Sequence, residues 1–85
     1  MEIKLNIPEY SPDTGIKSEW QDGFEIKVQG EEGETVIVAN KAGLISLAKQ
    51  LLTLAQDAVP AGSHLHFDDY NSLEQGSTEL IIAKR

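Results

Sequence analysis

The sequence contains no cysteine, and this absence excludes several kinds of site together. Without thiols the chain has no disulfide framework, no cysteine-ligated zinc site and no thiol nucleophile. Stability must therefore come mainly from hydrophobic burial. Any metal site would have to use His, Asp and Glu side chains, and we predict no bound metal or cofactor.

Long apolar runs are also missing from the sequence. No stretch approaches the roughly 18–20 residues that a bilayer span needs, and the opening residues MEIKLNIPEY carry no signal-peptide pattern. We therefore expect a cytoplasmic protein with no membrane partner.

Basic residues are scarce. Seven Lys and Arg stand against 14 Asp and Glu, which gives a formal net charge of −7. The few bases form no stripe, and such an acidic chain is repelled by phosphate backbones. We predict no nucleic-acid partner and favour a basic protein partner.

At 85 residues with 40% hydrophobic composition, the chain has the size and apolar content of one folded unit. We find no internal repeat and no low-complexity tract. The sequence therefore predicts a single domain over residues 1–85.

Alternation of polar and apolar residues predicts most of the strands. The unbroken apolar run near the C-terminus is typical of a central strand covered on both faces. Gly30 and Gly33 lie in a turn that joins two strands in a hairpin. The predicted strands are 2–7, 23–29, 34–39, 63–68 and 77–83.

One long helix is predicted from about Lys41 to Asp57, with Asn40 as its N-cap and Pro60 beyond its end. Gly43 in its first turns indicates close approach to the sheet. Apolar residues recur at three- and four-residue spacing, and we expect them to face the core. This stripe consists of Leu44, Leu47, Ala48, Leu51, Leu52, Leu54 and Ala55.

These elements predict an α+β fold: an antiparallel four- to five-stranded sheet with one long helix packed on one face, in the order β-β-β-α-β-β. A loop of some fifteen residues separates the first two strands, which is long for a domain of this size. Its aromatic residues are Tyr10 and Trp20. Trp20 has two interpretations: it packs back onto the edge of the core, or it contacts a partner.

Two groups of polar residues are candidates for function. Glu31 and Glu32 lie in the predicted hairpin turn, where they either keep the turn solvated or contact a partner. His64, His66 and Asp68 share one face of a predicted strand. That face is a solvent- or partner-facing polar surface, a metal site, or a pH-responsive histidine pair. No serine has the glycine-flanked turn of a hydrolase nucleophile.

The run Gly-x-His-x-His-x-Asp-Asp-x-Asn-Ser-Leu-Glu spans residues 62–74. Together with the leucine-rich segment 49–56, it resembles the immunity proteins of bacterial polymorphic toxin systems, specifically immunity family 32. The resemblance covers about half of the chain. Asn71 and Ser72 are natural turn formers, and we expect Leu73 in the core. The positions that match the family pattern are His64, His66, Asp68, Asp69, Asn71, Ser72, Leu73 and Glu74.

The resemblance implies a small α+β antidote that binds and blocks a toxin and has no catalytic activity. An acidic antidote suits a basic toxin, because opposite charges steer the two together. The runner-up is a small metal-binding enzyme or regulator that uses His64, His66 and Asp68. The oligomeric state is open, including association through an exposed strand edge. The candidate partner-binding residues are Trp20, Glu31, Glu32, His64, His66, Asp68, Asp69 and Tyr70.

Overall fold

The structure of the protein, a computed structural model, describes residues 1–85. The α+β class is confirmed, with one helix and antiparallel strands. The single sheet of four to five strands is wrong, because four strands form two separate two-stranded sheets, β1 with β2 and β3 with β4. The single domain stays a prediction. The elements in chain order are β1 Ile26–Glu31, β2 Glu34–Ala39, α1 Lys41–Leu54, β3 His64–Phe67 and β4 Leu80–Ala83.

The β1–β2 hairpin forms as predicted, with Ile26 opposite Ala39 at its open end. Glu32 and Gly33 connect the strands with positive φ angles of 42° and 84°. Two consecutive positive φ angles characterise the type I′ turn, whose twist matches that of paired strands. The side chains of Ile26 and Val28 are fully buried, so this hairpin presents one face to the core. β2 has its predicted bounds, whereas β1 begins and ends later than predicted, so Gly30 and Glu31 belong to the strand and not to the turn.

Hydrogen bonds from residues 77 and 78, just before β4, link the two sheets along the edge of β1 that faces away from β2. The backbone N–H of Thr78 donates to the carbonyl of Val28 at 2.8 Å. The hydroxyls of Ser77 and Thr78 accept from the backbone N–H groups of Val28 and Gly30, at 3.2 and 3.3 Å. Because side-chain hydroxyls stand where a neighbouring strand would place carbonyls, no continuous ladder forms. The strand predicted over 77–83 is therefore regular only within β4.

Asn40 starts α1 and joins it to β1. Its side-chain oxygen accepts from the backbone N–H of Gly43 at 2.8 Å, which confirms the predicted N-cap. The same oxygen accepts from the N–H of Glu25 at 3.0 Å, and the amide nitrogen donates to the carbonyl of Gly23 at 2.9 Å. The start of the helix is thus fixed to the start of the hairpin.

α1 ends at Leu54, before the predicted end at Asp57. The side-chain nitrogen of Gln56 donates to the carbonyl of Thr53 and to that of Pro8, each at 2.9 Å. Gln56 thus ties the helix end to the N-terminal segment, and Ala55, the last residue of the predicted apolar pattern, is the C-cap. The helix lacks the length and apolarity that a bilayer span requires.

The orientation of α1 reverses the prediction for its leucine stripe. Leu44, Leu51 and Leu52 are 56%, 46% and 50% exposed. Leu54 is buried and Leu47 packs partly against the core. Most of the predicted core-facing stripe therefore lies outside. The inward side is largely polar, formed by Ser46, Lys49, Gln50 and Thr53 with Gly43 and Leu54.

The inward side of α1 is polar because it holds the long loop. The backbone N–H of Gln21 donates to Ser46 Oγ at 2.8 Å. The side-chain nitrogen of Gln50 donates to the carbonyl of Glu19 at 2.6 Å, and Lys49 Nζ lies 2.7 Å from the carboxylate of Glu19. A loop outside any helix or sheet pairs only a few of its backbone groups with one another, and the covered groups that remain need other partners. The helix side chains supply those partners.

The predicted strand over residues 2–7 does not form. Its alternation does produce an apolar side, but that side lies against the helix instead of joining a sheet. The groove between the two is lined by Met1, Ile3, Leu5, Leu44, Ile45 and Ala48.

The core lies where the two hairpins meet the helix. Leu73 belongs to it, as predicted. β4 pairs only with β3 and leaves Ile81 exposed, so the prediction of a strand covered on both faces is wrong. The buried apolar residues are Ile26, Val28, Leu54, Val59, Leu65, Phe67 and Leu73.

Gly43 lies where α1 crosses the hairpin, and the predicted close approach is confirmed. A Cβ atom at this position would lie 2.4 Å from the carbonyl oxygen of Glu25 and 3.1 Å from Cβ of Ala39. We expect Gly43→Ala to lower the free energy of unfolding by about 1–3 kcal/mol, because the clash with backbone outweighs the gain in helix propensity. Urea unfolding followed by circular dichroism measures the change.

Gly30→Ala is the matched control for this prediction. Its added Cβ would meet nothing closer than 3.6 Å, an ordinary contact with Thr78. We expect little loss of stability there. If Gly43→Ala is as stable as Gly30→Ala, or more stable, the close crossing of helix and strand is contradicted.

Candidate functional site

β3 separates two kinds of side chain, as its alternation predicts. Leu65 and Phe67 are buried in the core, whereas His64 and His66 are exposed on the opposite side. The strand therefore presents two imidazoles to the surface from a backbone anchored in the core.

Asp68 and Asn71 organise the β3 turn, which we define as residues 68–73. Asp68 Oδ1 accepts from the backbone N–H groups of Tyr70 and Asn71, at 2.9 and 3.0 Å. The Asn71 side chain donates to the carbonyl of His66 at 2.9 Å and accepts from the N–H of Asp68 at 3.1 Å. Leu73 anchors the end of the turn in the core. The predicted turn-forming role of Asn71 is confirmed.

His66, Asp68 and Glu79 form a cluster beside this turn. One potential ligand atom from each lies within 4.8 Å of the other two. His66 Nε2 is hydrogen-bonded to Glu79 Oε1 and lies 3.9 Å from Asp68 Oδ2. One imidazole and two carboxylates are a donor set that suits a divalent ion such as Zn²⁺. The same groups form an ion-paired cluster whenever His66 carries a proton.

The predicted chelating set was His64, His66 and Asp68. The structure brings His66 and Asp68 together but not His64, and Glu79 takes the third place. Sequence reasoning missed Glu79 because its position depends on the register that sets His66 opposite Ile81. The available signal was the predicted strand 77–83, which contains Glu79. The residues of that strand do not show which residues of β3 lie opposite them.

Trp20 packs at the edge of the core. Its ring stacks on Phe24 with centroids 4.8 Å apart, and meets Phe67 edge-on at 5.9 Å. This placement agrees with the interpretation that Trp20 folds back onto the core. Such stacked and edge-on pairs hold aromatic rings in defined orientations.

A cleft of about 260 Å³ lies between the loop that carries Trp20 and the histidine side of β3. Because both rigid aromatic and polar groups border it, the cleft can receive a side chain of mixed character. Its lining residues are Ile16, Ser18, Trp20, His64, Leu65, His66, Phe67 and Asn71.

Tyr70 and Asp69 project from the β3 turn. Tyr70 is 96% exposed. Asp69 is exposed as well, and its Oδ2 accepts from the backbone N–H of Gly76 at 3.3 Å. An exposed aromatic ring therefore lies beside two acidic residues, Asp68 and Asp69.

Glu31 and Glu32 lie at the tip of the β1–β2 hairpin, and both are exposed. No hydrogen bond or ion pair joins them to the β3 turn. The structure thus brings six of the eight candidate residues to the cleft and turn beside β3. It leaves these two glutamates on the other hairpin.

Residues 34–85 match the family described as Immunity protein 32, Imm32. The chain belongs to this family. The match confirms the resemblance seen in the sequence and extends it over β2, α1, β3 and β4. Within this Imm32 protein, the β3 turn and the His66 cluster lie inside the matched range, whereas Trp20, Glu31 and Glu32 lie before it. No curated protein and no solved structure matches the chain.

Proposed function

We propose that this Imm32 protein binds a cognate bacterial toxin of a polymorphic toxin system and neutralises it by stoichiometric occlusion, without chemistry of its own. The observation that carries this proposal is the match of residues 34–85 to an immunity family. The antidote acts in the cytoplasm of the cell that it protects.

We place the toxin contact on the β3 turn and the side of β3 that carries His64 and His66. The side chains of Asp68 and Asn71 already hold the turn through hydrogen bonds to its backbone, so little conformational entropy is lost on binding. Tyr70 offers the kind of aromatic anchor that dominates binding energy at interfaces. Trp20 contributes a fixed ring at the border of the same cleft.

The charge of the protein supports a basic toxin as the partner. The net charge is −7, and Asp68 and Asp69 lie beside the proposed anchor Tyr70. Opposite charge across an interface mainly raises the rate of association. Glu31 and Glu32 extend the acidic surface at the hairpin tip, from which they act through long-range attraction.

Co-expression tests the proposal directly. We expect this chain to restore the growth of cells that express the product of the adjacent upstream reading frame. We also expect the two proteins to elute as a one-to-one complex. A version with an early stop codon controls for effects of the transcript. Continued toxicity together with no complex would refute the proposal.

The double variant Asp68→Asn/Asp69→Asn tests the placement of the toxin contact. Asparagine keeps a side-chain oxygen to accept from the N–H groups of Tyr70 and Gly76, so the turn should persist. We expect association with the toxin to slow about 3- to 10-fold at low salt, with a shallower dependence on ionic strength. Stopped-flow mixing over a range of salt concentrations measures both.

Glu2→Gln/Glu9→Gln is the matched control for this charge change. Both glutamates are exposed, and the substitution alters net charge by the same amount. We expect a smaller effect from this pair. If the two double variants slow association equally, overall charge steers the toxin and the β3 turn has no special role.

A second candidate function is a divalent-metal site in a small enzyme or regulator, favoured by the cluster of His66, Asp68 and Glu79. Its Asp68 carboxylate is already oriented through Oδ1, which leaves Oδ2 directed towards His66. Oriented ligands of this kind raise metal affinity.

Zinc titration by calorimetry separates the two candidates. A metal site predicts saturable binding that His66→Gln abolishes and that His64→Gln leaves intact, because His64 lies outside the cluster. Toxin occlusion predicts that protein stripped with a chelator still forms the one-to-one complex with the toxin in metal-free buffer. Saturable zinc binding, together with loss of that complex in stripped protein and its return when zinc is added, would favour the metal-dependent function.

A further inference from the structure

An unusual apolar surface covers the outer side of α1 and the neighbouring strand β2. Leu44, Leu51 and Leu52 are about half exposed on the helix, and Ile37 is 42% exposed on the strand. α1 contacts β2 and follows it directly in the chain. A patch of this kind on an isolated protein marks an interaction site.

The outer edge of β2 is also free for strand pairing. Val28 directs both its N–H and its carbonyl away from β2, to residues 77–78. Its partner in the hairpin is Ile37, whose backbone groups therefore point away from β1 to the open edge. No bond outside the hairpin reaches Ile37. β2 has the sequence ETVIVA, without the proline, lysine or bulge that ordinarily protects an edge.

We propose that the occupant of this surface is a second copy of the chain, and that the protein forms a two-fold symmetric dimer. The two β2 strands pair antiparallel with Ile37 opposite its own equivalent, which joins the hairpins into one four-stranded sheet. The outer leucines of the two α1 helices then pack across the same axis. A two-fold contact requires a surface that complements itself, and an antiparallel strand edge does so.

Charge supports this register. With Ile37 on the axis, Glu34 of one copy lies opposite Asn40 of the second copy, next to its Lys41. The remainder of β2 carries no charge. Two chains of net charge −7 can thus meet through a neutral centre with opposite charges at each end.

The exposed area is sufficient for a specific dimer. The four largest contributors are Ile37, Leu44, Leu51 and Leu52, each about half exposed, and Ala48 and Ala55 are exposed as well. Val38 lies on the opposite face of β2, where the same register sets it against Val36 of the second copy. Over two copies, with the strand backbone, this amounts to on the order of 1,000 Å², the lower end of what specific interfaces bury.

Sedimentation equilibrium of the purified full chain, without toxin, tests the dimer. We expect a dimer in the micromolar range. Leu51→Lys/Leu52→Lys should weaken dimerisation about tenfold or more, because it places charge in the contact. Ile81→Lys is the matched control: this side chain is 58% exposed but lies on β4, outside the proposed surface. A wild-type monomer across the range would overturn the proposal.

A single introduced cysteine tests the register independently of the lysine variants, because the chain has no thiol of its own. Residues directly opposite in a hydrogen-bonded antiparallel pair have Cα atoms about 5.5 Å apart, within the range of a disulfide. We expect Ile37→Cys to oxidise to a covalent dimer with the circular dichroism of the native protein, and Ile81→Cys to remain reduced. Equal cross-linking of the two variants would overturn the β2 pairing. Either result leaves toxin binding to be judged separately.

Discussion

The fold depends on hydrogen bonds between the inward side of α1 and the backbone of the loop before β1. Four loop groups find their partners in helix-borne or helix-terminal side chains: the carbonyls of Pro8 and Glu19 and the N–H groups of Tyr10 and Gln21. Gln56 serves two of them, since its amide donates to Pro8 and accepts from Tyr10. This one set of contacts decides where the loop lies and which side of the helix faces in.

Magnitudes explain why the leucines face outward. A covered backbone group without a partner costs about 1–3 kcal/mol, so the four groups, which are partly buried, would together cost about 4–12 kcal/mol at most. Full burial of a leucine gains about 1.5–3 kcal/mol. Half exposure of Leu44, Leu51 and Leu52 therefore forgoes only a few kcal/mol. Within a single chain, the hydrogen bonds to the loop therefore outweigh the lost burial of the leucines. Burial of the leucines is left to contact with another molecule.

Features set by local sequence pattern were predicted, and features set by contacts between separate segments were missed. The β1–β2 hairpin, the N-cap Asn40 and the inward Leu65 and Phe67 follow from local pattern and were predicted. The inward side of α1 depends on a loop without periodicity, so its leucine spacing indicated a helix but not which side is buried. At the candidate site, the exposed histidines followed from alternation along β3. Glu79 could not be predicted, because its place beside His66 depends on the register between β3 and β4, which the long connection between these strands leaves open.

The family match begins at residue 34, so it includes the helix side that holds the loop but not the loop itself. Ser46, Gln50 and Gln56 lie within residues 34–85, whereas the backbone that they hold lies before residue 34. The matched range alone would leave these polar groups uncovered. It would also remove β1 from β2, which would expose a second strand edge. Residues 1–33 are therefore part of what keeps the β3 turn on a fixed support, because Trp20 packs on Phe67 directly beneath it.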